Sequence, residues 1–314
     1  MSASVVVGVD GSSSSLEAVD AAAREARLRG TSLRVVHAFV WPTLKVPLGP
    51  SVMGSPEGGM RTLADKTAQD AAARARKAQP EIEVSYSVVP GAPVSVLTEE
   101  SRDACLVVVG TRGLGGFTGL LVGSVAVHLA AHATCPVLVT RGRKGPGGPV
   151  LLGVDGSEVG DAAVGWAFAE AARRKAGLVA LHSWDNWTGL PVALGPGVQV
   201  PSVYDPVKLR EEQERVLSLA LSGWREKYPE VTVTPRLVQD YSRQALIEAS
   251  EESQLVVVGA RGRGGFTGLL LGSVSQAVLH HAHCPVVVVR AHREHGRGEG
   301  HGHGLWRHGG GGEG

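Results

Sequence analysis

The chain carries the same sequence plan twice, and no other feature limits its fold as much. Val5-Val6-Val7-Gly8-Val9-Asp10-Gly11-Ser12 returns as Val150-Leu151-Leu152-Gly153-Val154-Asp155-Gly156-Ser157. Gly110 to Ser124 returns as Gly259 to Ser273 with 12 of 15 positions identical; Thr111/Ala260, Leu114/Arg263 and Val122/Leu271 differ. The offset is 145 at the first pair (155 minus 10) and 149 at the second (259 minus 110), so the halves differ by about four loop residues. A duplication of this period makes two domains, each near the usual domain size. The boundaries read as 1–141 for the first, 142–148 for a Gly/Pro linker, 149–290 for the second, and 291–314 for a Gly/His-rich tail expected to be disordered.

Within each half, strand-like and helix-like segments alternate. Val5 to Val9 is a short apolar run, read as a buried strand. The next helix has cap candidates in Ser12 to Ser15, an apolar face at Leu16, Val19, Ala22, Ala23 and Ala26, and a stop at Gly30. Strands follow at Leu33 to Phe39, Ile82 to Val89, Leu106 to Val109 and Pro136 to Thr140. Helices are expected near Arg61 to Gln79, at Val94 to Ser101, and from Gly123. The second half repeats this with strands near 150–154, 178–182, 231–238, 255–258 and 285–289. Five strands alternating with four helices imply an α/β domain with a parallel sheet covered on both faces. With strand order 3-2-1-4-5, Asp10 and Gly110 flank the point where the order reverses, where such sheets bind ligands.

Composition narrows the function classes. There are 31 basic and 30 acidic side chains, a net charge of +1, so no global field draws nucleic acid or an anionic membrane. No apolar stretch reaches the roughly 18 residues of a membrane span, and no basic n-region precedes the first strand. Cys105, Cys135 and Cys284 are few and lie in or beside apolar runs, which fits a reducing cytoplasm better than a disulfide framework.

The strand ends carry the chemistry. Gly110-Thr111-Arg112-Gly113 is followed by nine residues and Gly123-Ser124; the second copy is Gly259-Ala260-Arg261-Gly262, nine residues, and Gly272-Ser273. A triphosphate needs close backbone approach, many N–H donors and positive charge. Glycines remove the obstructing Cβ, a helix opening at Gly-Ser offers free N–H groups, and Arg112 and Arg261 supply guanidinium groups. The alternative for one copy alone is turn geometry; two copies in one context favour phosphate binding.

The spacing Gly-x2-Gly-x9-Gly-Ser, the Val-Gly-Val-Asp-Gly-Ser start and the Cys-Pro-Val closing strand resemble the universal stress protein family, in its tandem actinobacterial form. That resemblance implies Rossmann-like domains of the adenine nucleotide alpha hydrolase type that bind ATP. It implies Gly8, Asp10, Gly153 and Asp155 at the nucleotide crevice, and backbone groups of Ala38 and Ser183, just after the second strand, at adenine. Phosphates would be held by Gly110, Arg112, Gly113, Gly115, Gly123 and Ser124, with Val125 adding an N–H. The second-half counterparts are Gly259, Arg261, Gly262, Arg263, Gly264, Gly272, Ser273 and Val274. An acidic side chain beside a triphosphate calls for a cation, so Mg²⁺ is expected with the nucleotide, held mainly by phosphate and water. Asp10 and Asp155 then ligate it, bond a ribose hydroxyl, or cap the following helix.

No general base, nucleophile pair or arginine finger is legible beside these cradles. The expectation is a cytoplasmic nucleotide-dependent regulator in a stress or dormancy response, with an unidentified regulatory protein partner. The alternatives are a slow ATPase or a self-phosphorylating enzyme acting through Ser124 or Ser273, and an interaction module without nucleotide. The turn Gly8-Val9-Asp10-Gly11-Ser12-Ser13 is not Gly-x-Gly-x-x-Gly, which disfavours a dinucleotide. Closing strands such as Val286 to Val289 are candidates for edge-to-edge pairing; the halves are expected to pack as a pseudo-dimer, with a homodimer of the whole chain beyond that. His128 and His132, and the cluster His280, His281 and His283, lack the further ligands of a zinc site. Trp41, Trp184 and Trp187, placed after second strands, either cover the crevice or pack their loops.

Overall fold

The structure is a computed structural model and describes residues 3–40, 56–113, 122–142, 147–184, 205–263 and 270–291. The first half runs β1 (Ser4–Val9), α1 (Ser13–Arg29), β2 (Leu33–Phe39), α2 (Pro56–Ala78), β3 (Val84–Pro90), α3 (Pro93–Glu100), β4 (Ala104–Gly110), α4 (Ser124–His132) and β5 (Val137–Thr140). The second runs β6 (Val150–Gly153), α5 (Glu158–Arg174), β7 (Leu178–Trp184), α6 (Pro206–Lys227), β8 (Val233–Gln239), α7 (Ser242–Ala249), β9 (Leu255–Gly259), α8 (Ser273–His281) and β10 (Val286–Val289).

Among the described residues ten strands form one sheet, in the order β3-β2-β1-β4-β5-β10-β9-β6-β7-β8. Each half is parallel and keeps the order 3-2-1-4-5. The halves join through β5 and β10, which pair antiparallel with Val287 opposite Leu138. Both strands are four consecutive buried residues, as a strand covered on both faces requires. One core layer lies under α1, α2, α5 and α6; the other lies under α3, α4, α7 and α8.

Local chemistry sets the helix ends. Ser12 caps α1, its hydroxyl accepting from Ser15 N at 3.1 Å, and Gly30 ends it at φ 60°. Ser157 caps α5 in the same way, accepting from Gly160 N at 3.2 Å. The packing differs between halves: α1 and α2 supply alanines such as Ala23 and Ala75 to the core, whereas the rings of Phe168, Trp224 and Tyr228 cluster where α5 meets α6.

The seam between the halves holds a buried charge cluster. Glu25 bonds Arg29 on its own helix and Arg174 on α5. Glu170 bonds Arg174 at 2.7 Å on its own helix and Arg29 at 2.7 Å on α1. The offset is the repeat's own (170 minus 25 and 174 minus 29 are both 145), so a two-fold arrangement of α1 and α5 brings each pair to the other. Glu25 and Glu170 are 4% and 0% exposed. Burial is tolerable because each carboxylate keeps at least two charged donors.

Three sequence expectations need correction. Ala38 and Ser183 are not beyond the second strand but inside β2 and β7, and Trp184 ends β7. The ladder to the neighbouring strand continues through Phe39↔Pro90 and Trp184↔Gln239 and fixes those ends. The third strands start at Val84 and Val233, because the residues before them lie outside the ladder that opens at Leu33↔Val84 and Leu178↔Val233. Trp41, Trp187 and the tail from 292 lie outside the described residues.

Candidate functional site

Each half holds a cavity where the strand order reverses, about 500 Å³ in the first and about 600 Å³ in the second. These volumes are those of small-molecule sites. The first is lined by Gly8, Asp10, Ala38, Gly110, Arg112, Gly113, Gly123, Ser124 and Val125 among others. The second is lined by Gly153, Asp155, Ser183, Gly259, Arg261, Gly262, Arg263, Gly272, Ser273 and Val274 among others. Gly115 and Gly264 lie outside the described residues.

The floor is built from the turn after the first strand. Gly11 at φ 87° and Gly156 at φ 69° take the left-handed conformation that the turn into the helix requires. Asp10 Oδ1 accepts from Ser12 N at 3.0 Å, bracing the capping residue. In the second half Asp155 Oδ1 accepts from Ser157 N at 3.0 Å and Ser157 Oγ at 2.8 Å, and Oδ2 accepts from Arg263 N at 2.9 Å. These aspartates therefore organise backbone, tying the first turn to the glycine loop.

The glycine loop closes on itself at its base. Gly123 N donates to Thr111 O at 2.6 Å, and Gly272 N donates to Ala260 O at 2.8 Å. That bond presents the start of α4 or α8 to the cavity. Gly123 and Gly272 are the N-caps, neither helix has a side-chain cap, and neither has an acidic residue in its first turn. The first N–H groups of these helices thus keep their capacity for an anion. Arg112 and Arg261 line the same cavities; Arg263 Nη2 donates to Gly156 O at 3.2 Å, over the turn.

Beside this polar end stands a second wall, apolar in the first half and mixed in the second. In the first half it is Val36, Ala38, Pro93, Leu97 and Val109; in the second, Leu181, Ser183, Ser242, Leu246 and Val258. Two hydroxyls thus replace an alanine and a proline, and Ser183 Oγ donates to Asp240 O.

Sequence reasoning missed several of these residues. His37 Nδ1 lies 2.8 Å from Val9 O, and His182 Nδ1 lies 2.7 Å from Val154 O. A carbonyl only accepts, so both rings carry a proton there and tie the second strand to the turn. His182 also meets Gln213 of α6 at 2.9 Å through Nε2. The signal was present in the alignment of the halves, since His37 and His182 are 145 apart. Ser14 accepts from Arg112 N at 3.3 Å; the second half, with Val159 at that place, uses Ser275 of α8, donating to Gly259 O at 2.7 Å. Among the described residues no group of three His, Cys, Asp or Glu is placed to hold a metal, and no helix is long and apolar enough to cross a membrane.

Comparison with known proteins agrees with this architecture. Residues 1–141 and 148–290 each match the universal stress protein family. The chain is 40% identical over 294 residues to Universal stress protein Rv2623 of Mycobacterium tuberculosis (strain ATCC 25618 / H37Rv), covering 91% of this chain and 96% of that one. It is 39% identical over 312 residues to Universal stress protein Rv1996 of the same strain, covering 91% and 94%. The crystal structure of a universal stress protein from Archaeoglobus fulgidus DSM 4304 shares the fold with a TM-score of 0.64 at 18% identity, over 92% of this chain and 96% of that one. The chain belongs to the universal stress protein family and carries two of its domains in tandem.

Proposed function

We propose that each half binds one ATP with Mg²⁺, and that the chain is a cytoplasmic, nucleotide-dependent regulator in a stress or dormancy response. The observation that carries this reading is the convergence, in both halves, of an uncapped helix start, a glycine loop closed at its base and arginines at one end of a cavity whose other wall carries aliphatic side chains. A phosphate chain fits the first end and a purine the second. In this reading Gly110, Gly113, Gly123 and Ser124 hold the first phosphate chain through backbone and hydroxyl donors, and Gly259, Gly262, Gly272 and Ser273 hold the second. Arg112, Arg261 and Arg263 neutralise charge, Val125 and Val274 add N–H groups, and Ala38 and Ser183 face the base. The engagement of Asp155 by three donors fits it poorly to direct metal ligation. Mg²⁺ is held by phosphate and water, and supplies charge neutralisation. Regulation requires that ATP bind two conformations of the chain unequally.

Calorimetric titration of the nucleotide-free full chain with Mg-ATP tests the reading, beside a variant carrying Gly113→Ala and Gly262→Ala. Two binding events per chain, lost in the folded variant, are expected. No binding by the intact folded chain overturns the reading and leaves an interaction module.

A further inference from the structure

Arg141 and Arg290 occupy matching places in the two halves (290 minus 141 is 149), each one residue past a closing strand. Because β5 and β10 run antiparallel against each other, the chain leaving either strand points into the opposite half. Arg141 therefore reaches α8: its Nε donates to Ala282 O at 2.6 Å and its Nη1 to Leu279 O. Arg290 reaches α4, with Nη1 donating to Ala131 O. These carbonyls belong to the last turns and the cap of the two helices. Such carbonyls have no partner within a helix and form the negative end of its dipole. The opposite ends of the same helices are Gly123-Ser124 and Gly272-Ser273, in the two cavities. Each helix has nine residues and so spans only roughly 14 Å, and a shift at its C-terminal end moves the N–H groups at its start.

We propose that Arg290 and Arg141 are positioning residues that set the cradle helix of the opposite half, so that each nucleotide site is completed from across the chain. The first site depends on Arg290 and the second on Arg141. The proposal rests on the nucleotide reading above. The charge cluster of Glu25, Arg29, Glu170 and Arg174 fixes α1 against α5 on the other face of the sheet, which leaves α4 and α8 as the elements these arginines adjust.

The test uses the full chain with one site disabled at a time: Gly262→Ala leaves the first site, Gly113→Ala leaves the second. Arg290→Gln is expected to weaken Mg-ATP binding at the first site by roughly 3- to 10-fold and leave the second within about twofold. Arg141→Gln should do the reverse, and Arg290→Lys, which keeps the charge, should recover part of the loss. In nucleotide-free protein, Arg290→Gln should speed amide exchange in α4 and not in α8. Equal loss at both sites, loss confined to the arginine's own half, or unchanged exchange in the opposite helix each overturns the proposal. If neither single-site chain binds Mg-ATP, the nucleotide reading falls; the exchange pattern then separately decides whether the crossed anchoring exists.

Discussion

A Cβ on Gly113 would stand nearer to Oδ2 of Asp10 than the 3.0 Å that side-chain carbons keep, and Gly262 bears the same relation to Asp155. The glycine loop and the first turn are thus packed backbone against carboxylate, and one hydrogen per position makes the packing feasible.

Gly113→Ala should therefore cost about 1–3 kcal/mol in the nucleotide-free chain, as overpacking generally does. The cost belongs to the pair rather than to the loop alone. In the Asp10→Ala background it should fall to a few tenths of a kcal/mol, an interaction energy of about 0.5–3 kcal/mol. Denaturant unfolding of the four proteins in the cycle measures this; strictly additive effects would refute it.

The seam cluster makes a prediction with a pH sign. Glu170 faces Arg29, Arg173 and Arg174, whereas Glu25 faces Arg29 and Arg174. Burial and the neighbouring Glu170 carboxylate push Glu25 above its ordinary 4.5. Burial also opposes charge on Glu170, but the arginines outweigh it and hold Glu170 below the ordinary range. Glu170 therefore contributes stability above the ordinary carboxylate range, lost as pH falls through its depressed value. Glu25 binds its proton more tightly when folded, so its contribution fades as pH rises from 4.5 toward its raised value. Glu170→Gln should cost about 3–5 kcal/mol at neutral pH, since it strips a buried partner from two arginines. Glu25→Gln should cost less and should remove the fall in stability with rising pH just above 4.5. Urea midpoints across pH, with the two variants beside the parent, check the order and the sign.

Cys135 has its thiol pushed up to about 12, by burial first and then by Cys105 nearby. Cys105, less buried, is also raised, chiefly by burial. At about pH 8 neither is appreciably a thiolate, the species that reacts. Iodoacetamide should leave Cys135 unmodified in folded protein over a time that labels it fully in denaturant, with Cys105 the faster of the two. Rapid labelling of native Cys135 would contradict its structural role.

Much of this was legible in the sequence because it is local. Val5 to Val9 ending in Asp10-Gly11-Ser12 specifies a buried strand, a left-handed turn and a cap within eight residues, and its return at Val150 to Ser157 removes the ambiguity of a short apolar run. The charge cluster was not legible, for a physical reason. Glu25 and Arg29 stand four apart on α1, a spacing that says nothing of burial by itself, and only the packing of α1 on α5 buries them. The end of β7 failed in the same way: Ser183 and Trp184 join the strand because β8 pairs with them, and that partner lies more than fifty residues away. Arg141 is the last residue assigned to the first domain, beside the linker, and its contact with α8 depends on how β5 meets β10.

The one charged difference between the two glycine loops carries the last prediction. Arg263 stands where the first half has Leu114, its N–H held by Asp155 Oδ2 and its guanidinium bonded to Gly156 O over the cavity floor. The backbone bond survives substitution by leucine, but the charge does not. An exposed guanidinium beside a phosphate is worth about 1 kcal/mol, or roughly fivefold in affinity, and salt screens it. The second site should therefore bind Mg-ATP more tightly than the first at low ionic strength. Arg263→Leu should bring the two together, and about 0.5 M salt should narrow the gap in the parent. Titrations of single-site chains at two salt concentrations read all three effects, and a second site equal to or weaker than the first would overturn the assignment of Arg263 to phosphate.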